Sequence, residues 1–335
     1  MRVLRRLVVV CAVLAALSAA SAGAEQAFAT PYTLLTTADA AASAPGMVVR
    51  GAVMLHPARL AAPRPHEMSA LAWDADAELL YAVTDNGLVV HLAPRFADGE
   101  LVDVAWRASF PLRDAGGTPL SGHLADAEAV VARRAGNGIR GDTELVIAFE
   151  RVPRLARYDV EGRLLGTERL PRALAEPARY AGDNLQIEAL TEHPALGLVM
   201  APERPLRGTD TADVTLYGAA ARRWQLPAFD REHGSVVALE TMPDGALLLL
   251  ERRFVKVFFP IRFALSRLEL SATGGVADVR RLAVLDNTAG WAVDNFEGIA
   301  HHRGRCYFMV SDDNAHLLQH TLLVYFELRD PAPAR

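Results

Sequence analysis

The chain has 335 residues, with 35 Lys and Arg against 40 Asp and Glu, a formal net charge of −5 and 51% hydrophobic content. That balance excludes a disordered polyelectrolyte and supplies no basic surface for nucleic acid. Two cysteines in this length exclude a disulfide-stapled scaffold, so stability has to come from packing.

Residues 1–24 place Arg2, Arg5 and Arg6 before an apolar run at 7–20 and end in Ala22-Gly23-Ala24. The pattern predicts a secretory signal peptide and a periplasmic or secreted product, with no membrane span anywhere in the chain. Cleavage after Ala24 removes three arginines and no acid, which takes the net charge from −5 to −8. Cys306 is then the one remaining cysteine, and it reads as a small buried hydrophobe. Residues 25–45, small and polar, form a lead-in segment to a domain expected over 46–330.

From residue 69 onward a unit recurs. Its openings are SALAWD (69–74), EAVVAR (128–133), EALTEH (188–193), VALETM (237–242) and EGIAHH (297–302), spaced by 59, 60, 49 and 60 residues. Each is followed by a second apolar run ending on acidic residues, as in LLYAVTDN (79–86), ELVIAFER (144–151) and CYFMVSDDN (306–314). Turn signals such as Asn86-Gly87, Asp98-Gly99 and Glu161-Gly162 divide most units into four strands. A period of this size with four short strands per unit predicts an all-β fold, a β-propeller of five four-stranded blades, six if one blade is degenerate. The last unit has three strands, and MVVRGAVML (47–55) is expected to complete it, because a ring must pair its last edge.

In such a ring the first strand of a blade lines the channel and the second runs antiparallel beside it, so the start of one and the end of the other share a mouth. Glu67 and Asp85, Asp126 and Glu128 with Glu150, Glu188 with Glu203, Glu251, and Glu297 with Asp312 and Asp313 are placed there. Glu-Arg pairs put Arg151, Arg204 and Arg252 on one side, as grips for an anionic group. The acids Glu67, Asp85, Glu297, Asp312 and Asp313, next to the closure of the ring, form an oxygen-only set suited to Ca²⁺. His66 and His320 are candidate proton donors beside that mouth. The competing structural reading makes the Glu-Arg pairs stitches between blades and Asp85-Asn86-Gly87 a simple turn. No GxSxG elbow and no HExxH motif occurs, which argues against a serine hydrolase of the α/β type and against a helical zinc protease.

Three C-terminal segments, DNFEGIA (294–300), SDDN (311–314) and QHTLLVYFEL (319–328), together with YAVTDNG (81–87) and EALTEHP (188–194), resemble the bacterial phytase-like family described as "esterase-like activity of phytase". The resemblance spans roughly residues 47–328. It implies an exported propeller with ester- or phosphoester-hydrolysing activity, while calcium-dependent propeller phytases offer an analogy of fold alone. Relatives usually carry Arg where this chain has His320, which weakens an anion-binding role there. The sequence therefore points to a monomeric, Ca²⁺-assisted hydrolase of a small anionic ester. The alternative is a non-catalytic propeller that binds a small ligand or a partner at the same mouth.

Overall fold

The computed structural model describes residues 27–37, 39–60, 65–209, 213–255, 260–316 and 318–329. The expected signal peptide lies outside them. All regular structure among the described residues is strand or short 3₁₀ turn, with no α-helix. The chain begins with β1 (Ala29–Pro31) and β2 (Met47–Leu55). Blade one follows as β3 (Met68–Asp74), β4 (Leu79–Thr84), β5 (Leu88–Ala97) and β6 (Glu100–Pro111). Blade two is β7 (Ala127–Arg133), β8 (Glu144–Phe149), β9 (Arg154–Asp159) and β10 (Leu164–Glu168). Blade three is β11 (Ile187–His193), β12 (Gly197–Pro202), β13 (Asp213–Gly218) and β14 (Arg223–Pro227). Blade four is β15 (Gly234–Thr241), β16 (Leu247–Arg253), β17 (Arg262–Glu269) and, after the two-residue β18 (Gly275–Val276), β19 (Asp278–Asp286). Blade five consists of β20 (Asn295–Arg303), β21 (Cys306–Asp312) and β22 (Leu322–Leu328).

Each blade is an antiparallel meander, inner strand first. The hairpins form where the turn chemistry demands them. Asp98 and Gly99, both at positive φ (52° and 82°), make the two-residue link between β5 and β6 whose backbone twist matches the flanking strands. The short β18 leaves blade four and pairs parallel with β14 of blade three, an outer contact that the repeat pattern did not reveal.

The inner strands follow one another around a channel in the order β3, β7, β11, β15, β20 and back to β3. This is a five-bladed propeller. Its hydrophobic core is divided into five layers, one between each pair of neighbouring blades. Between blades one and two, for example, Val83, Ile147, Phe149 and Tyr158 pack together, and between blades four and five Phe263, Phe296 and Phe326 do so. Sheet-on-sheet packing of this kind needs apolar residues on both faces of each blade, which is why the inner runs are nearly continuous in Leu, Val and Ala rather than alternating.

Closure is made by β2, which pairs antiparallel with β22 from Met47↔Leu328 to Met54↔Leu322, as the missing-strand argument predicts. β1 then adds a fifth strand outside β2. Two glycines permit the fit. Gly51 (φ +117°) sits in an irregularity of β2, where a Cβ would meet the Leu101 carbonyl oxygen at 2.3 Å. At the inner end, a Cβ on Gly298 would lie 2.8 Å from Val310 Cγ1 and 2.9 Å from Ala70 Cα of blade one. The first and last blades therefore touch backbone to backbone. Gly298→Ala is expected to lower stability by about 1–3 kcal/mol through overpacking at this seam. A urea midpoint equal to that of the parent protein would show that the seam is looser than described.

Candidate functional site

The five inner strands share one irregularity. In each, a single residue is left unpaired where the strand register slips: Ser69, Glu128, Glu188, Val237 and Glu297. A bulge re-aims the side chain it carries and tightens the local twist. These five residues are also the first residues of the five repeat openings, so the repeat seen in sequence is a repeat of this bulge. Glu128, Glu188, Val237 and Glu297 border a constriction of about 10 Å³ in the channel, together with Ala70, Ala129, Ala189, Ala238 and Gly298.

The second strands supply a further ring. The residues beyond or at their ends that occupy equivalent register positions are Asp85, Glu150, Glu203, Arg252 and Asp312. One placement made from sequence needs correction: blade four brings Arg252, not Glu251, to the second ring. Glu67, placed beside Asp85 from sequence, lies opposite it, and its backbone carbonyl accepts the Asp85 backbone N–H at 3.2 Å. Glu251 lies one register position away, where it is buried, accepts the Phe229 N–H at 2.7 Å and pairs with Arg281 at 3.2 Å. In blades three, four and five the second-ring residue falls 15 positions after the bulge residue (203 and 188, 252 and 237, 312 and 297), so the Glu-Arg motif of blade four stands one position early.

The outcome is a mouth crowded with carboxylates and relieved from within by one guanidinium. Arg252 donates to Glu297 Oε1 at 2.9 Å, to Glu203 Oε1 at 3.1 Å and to Asn295 Oδ1. Burial works against its charge, but Glu297, Glu203 and Glu188 outweigh burial and hold its proton more firmly than usual. Asp85 and Asp312, on the other side of the ring, have no guanidinium partner among the described residues. Burial pushes Asp85 up to about 8, opposed by the Ser69 hydroxyl that donates to it and reinforced by Asp312, Asp126 and Glu67. Burial likewise raises Asp312 to about 8, with Glu297, Asp313 and Glu67 adding repulsion. Glu297 and Glu150 rise to about 7, chiefly by burial, with Arg252 and the Gln186 N–H respectively holding them back. Glu128 and Glu188 stand well above the ordinary carboxylate range through burial and mutual repulsion.

Of the expected cation ligands, Asp85, Glu297 and Asp312 belong to these rings. Glu67 sits at the rim at φ 57°, its Oε2 lying 2.8 Å from His66 Nδ1. Asp313 turns away from the channel: its carboxylate accepts from the Glu67 and Ala315 backbone N–H groups and from the Thr321 hydroxyl at 2.9 Å. His66 and His320 line a cavity of about 420 Å³ between blades five and one, with Asp313 and His56. His320 is tied to Asp294 through its backbone N–H at 2.8 Å. The three arginines do not converge. Arg151 Nε pairs with Asp126 at 2.5 Å, and Arg204 donates to the Gly234 carbonyl at 2.7 Å, bridging the outer rim toward blade four.

The tightest oxygen cluster among the described residues is Asp85, Asp126 and Glu128, whose ligand oxygens all lie within 4.8 Å of one another. Asp126 and Glu128 were placed at the mouth from sequence but not assigned as ligands. Glu128 is the bulge residue of β7 and Asp126 stands just before that strand, and the β3-to-β7 contact carries both to Asp85. Carboxylate oxygens alone at this spacing, with Asp85 destabilised as an anion, fit a hard divalent cation such as Ca²⁺.

The shifts carry a stability signature. With proton affinities raised in the folded state above the ordinary values near 4, the folded protein binds more protons than the unfolded chain between about pH 4 and 8. The stabilisation is complete below that window and is lost as pH rises through it. In chelator, the Tm is expected to fall from pH 5 to 8, and added Ca²⁺ is expected to restore more stability at pH 8 than at pH 5. A Tm in chelator that is flat or rising over this range would contradict the raised affinities.

A family model described as "Phytase-like: Esterase-like activity of phytase" matches residues 64–315, a segment that contains both rings of the mouth. No curated protein matches the chain. With three quarters of its length aligned to that model and five blades closed around an acidic channel, the chain belongs to the phytase-like family.

Proposed function

We propose that this protein is an exported, cation-assisted hydrolase of a small phosphate or carboxylate ester, acting at the acidic mouth. The observation that carries this reading is the Asp85, Asp126 and Glu128 cluster, three carboxylate oxygens gathered beside acids that burial already disfavours as anions. Asp85, Asp126 and Glu128 would hold the cation, with Asp312, Glu297 and Glu67 completing its surroundings and Asp313 holding the Glu67 backbone in place. When bound, the cation supplies positive charge that attracts the anionic ester and stabilises charge developing on its oxygens.

The remaining steps fall to the protein's own side chains. Glu150 and Glu297, with affinities near 7, are able to carry or release a proton at neutral pH. His66, between Glu67 and the Asn86 amide, and His320 stand in the adjoining cavity as donors to the leaving oxygen. Arg151 faces the mouth beside Asp126 and meets the incoming anion, while Arg252 holds Glu297 and Glu203 in register. A binding propeller without turnover is the second reading. It is favoured by Arg204 and Arg252 already being committed to internal partners.

Calcium titration followed by heating separates the two. A specific site is expected to raise stability once the calcium concentration passes Kd, by about 2.7 kcal/mol at a hundredfold excess. Asp85→Asn and Glu128→Gln are expected to abolish that rise and to reduce turnover of p-nitrophenyl phosphate or p-nitrophenyl acetate by about 100-fold or more. Calcium-dependent stabilisation with no turnover of either ester would favour the binding propeller, and no rise in stability with calcium would discard the cation. Export is checked separately. The mature protein recovered from a periplasmic fraction or the medium is expected to begin at Glu25, and a product retaining Met1 would exclude the signal peptide.

A further inference from the structure

Away from the channel, a cavity of about 600 Å³ opens between blades two and three, walled by β10, the segment 169–179, β12, β13 and the turn at 219–223. Its size suits a small organic ligand. Six guanidiniums border it against three carboxylates, and the pairing is uneven. Arg133 alone takes two of the acids, binding Glu192 through two contacts at 2.8 Å and Glu168 at 2.7 Å. Arg222 is spent on the Leu196 and Ala219 carbonyls at 2.7 and 3.2 Å. Glu176 stands exposed on the rim.

Arg169, Arg172, Arg179 and Arg223 are left without a carboxylate partner among the described residues. Arg223 lies over the Tyr217 ring, its Cζ 5.6 Å from the centroid. Arg179 and Arg223 both act on the phenol of that buried tyrosine, countering the rise that burial imposes on it. Leu198, Met200 and Tyr217 give the cavity an apolar floor. Unneutralised guanidiniums above such a floor match an amphipathic anion, because planar N–H groups grip an oxyanion in pairs while the floor covers its carbon body.

We propose that this cleft binds a small organic oxyanion, its phosphate or carboxylate held by Arg172, Arg179 and Arg223 and its apolar body laid on Leu198, Met200 and Tyr217. The site is independent of the channel mouth and of any cation there. Phenyl phosphate, benzoate and inorganic phosphate are the probes, titrated by calorimetry in EDTA so that the mouth carries no metal. Saturable binding of phenyl phosphate or benzoate at least tenfold tighter than inorganic phosphate is expected, and which of the two binds better identifies the head group. The double variant Arg179→Ala with Arg223→Ala, and the single exposed variant Arg172→Glu, are each expected to weaken binding at least tenfold. Circular dichroism shows whether the double variant is folded, and Arg172→Glu decides the matter if it is not. Absence of saturable binding to the parent protein, undiminished binding in Arg172→Glu, or equal affinity for inorganic phosphate would each overturn the proposal.

Discussion

The ladder between β2 and β22 joins a strand from the start of the chain to one from its end, and the ring exists only because that pairing removes the last open edge. Every inter-blade layer depends on it. Each blade presents two apolar faces, so a blade without a neighbour leaves a face in water, and closure is what gives the first and fifth blades theirs. At the inner end of the seam Gly298 is set against Ala70 and Leu71. Because blades one and five meet there, Asp312 comes near enough to Asp85, 227 positions away in the chain, to raise its proton affinity.

Inside the ring, one local device repeated in every blade organises the chemistry. The bulge at the start of each inner strand directs one side chain toward the channel, and the neighbouring second strand adds another beside it. Three bulges carry Glu, one Ser and one Val, while the second ring carries four acids and Arg252. The departures from symmetry are as informative as the repeats. Val237 and Arg252 in blade four remove two negative positions and add a positive one, so Glu203 and Glu297 are neutralised locally. Charge is left unbalanced toward blades one and two, where Asp85 and Glu128 approach Asp126 and the Arg151 guanidinium pairs with Asp126 alone of the three.

Such a site resolves a conflict between packing and electrostatics. Burying several carboxylates costs free energy unless they are protonated, paired or bound to a cation, and all three remedies have a structural counterpart here. Arg252 pairs with two acids, the raised affinities of Asp85 and Asp312 keep protons near neutrality, and the three-carboxylate cluster has the donor chemistry of a calcium site. Arginines elsewhere follow a different logic. Arg133 consumes two glutamates, whereas Arg172, Arg179 and Arg223 retain an uncompensated charge on the flank of blades two and three.

Much of the architecture was legible in the amino-acid order, because strand runs, turn residues and a period near sixty depend on local steric preferences and on hydrophobic faces that repeat. The five openings coincide with the five bulges, and residues 47–55 close the ring as the edge argument requires. The mouth was legible as a set of acids but not in its detail. The offset that puts Arg252, rather than Glu251, into the second ring is a shift of one residue, and a shift of one residue turns a side chain to the other face of a strand. The union of Asp85 with Asp126 and Glu128, the outward turn of Asp313 and the separate engagements of Arg151 and Arg204 were decided only by how the blades pack. Those contacts join residues from different sheets, and their distances are set by the twist and spacing of the whole ring rather than by any neighbouring residue in the chain.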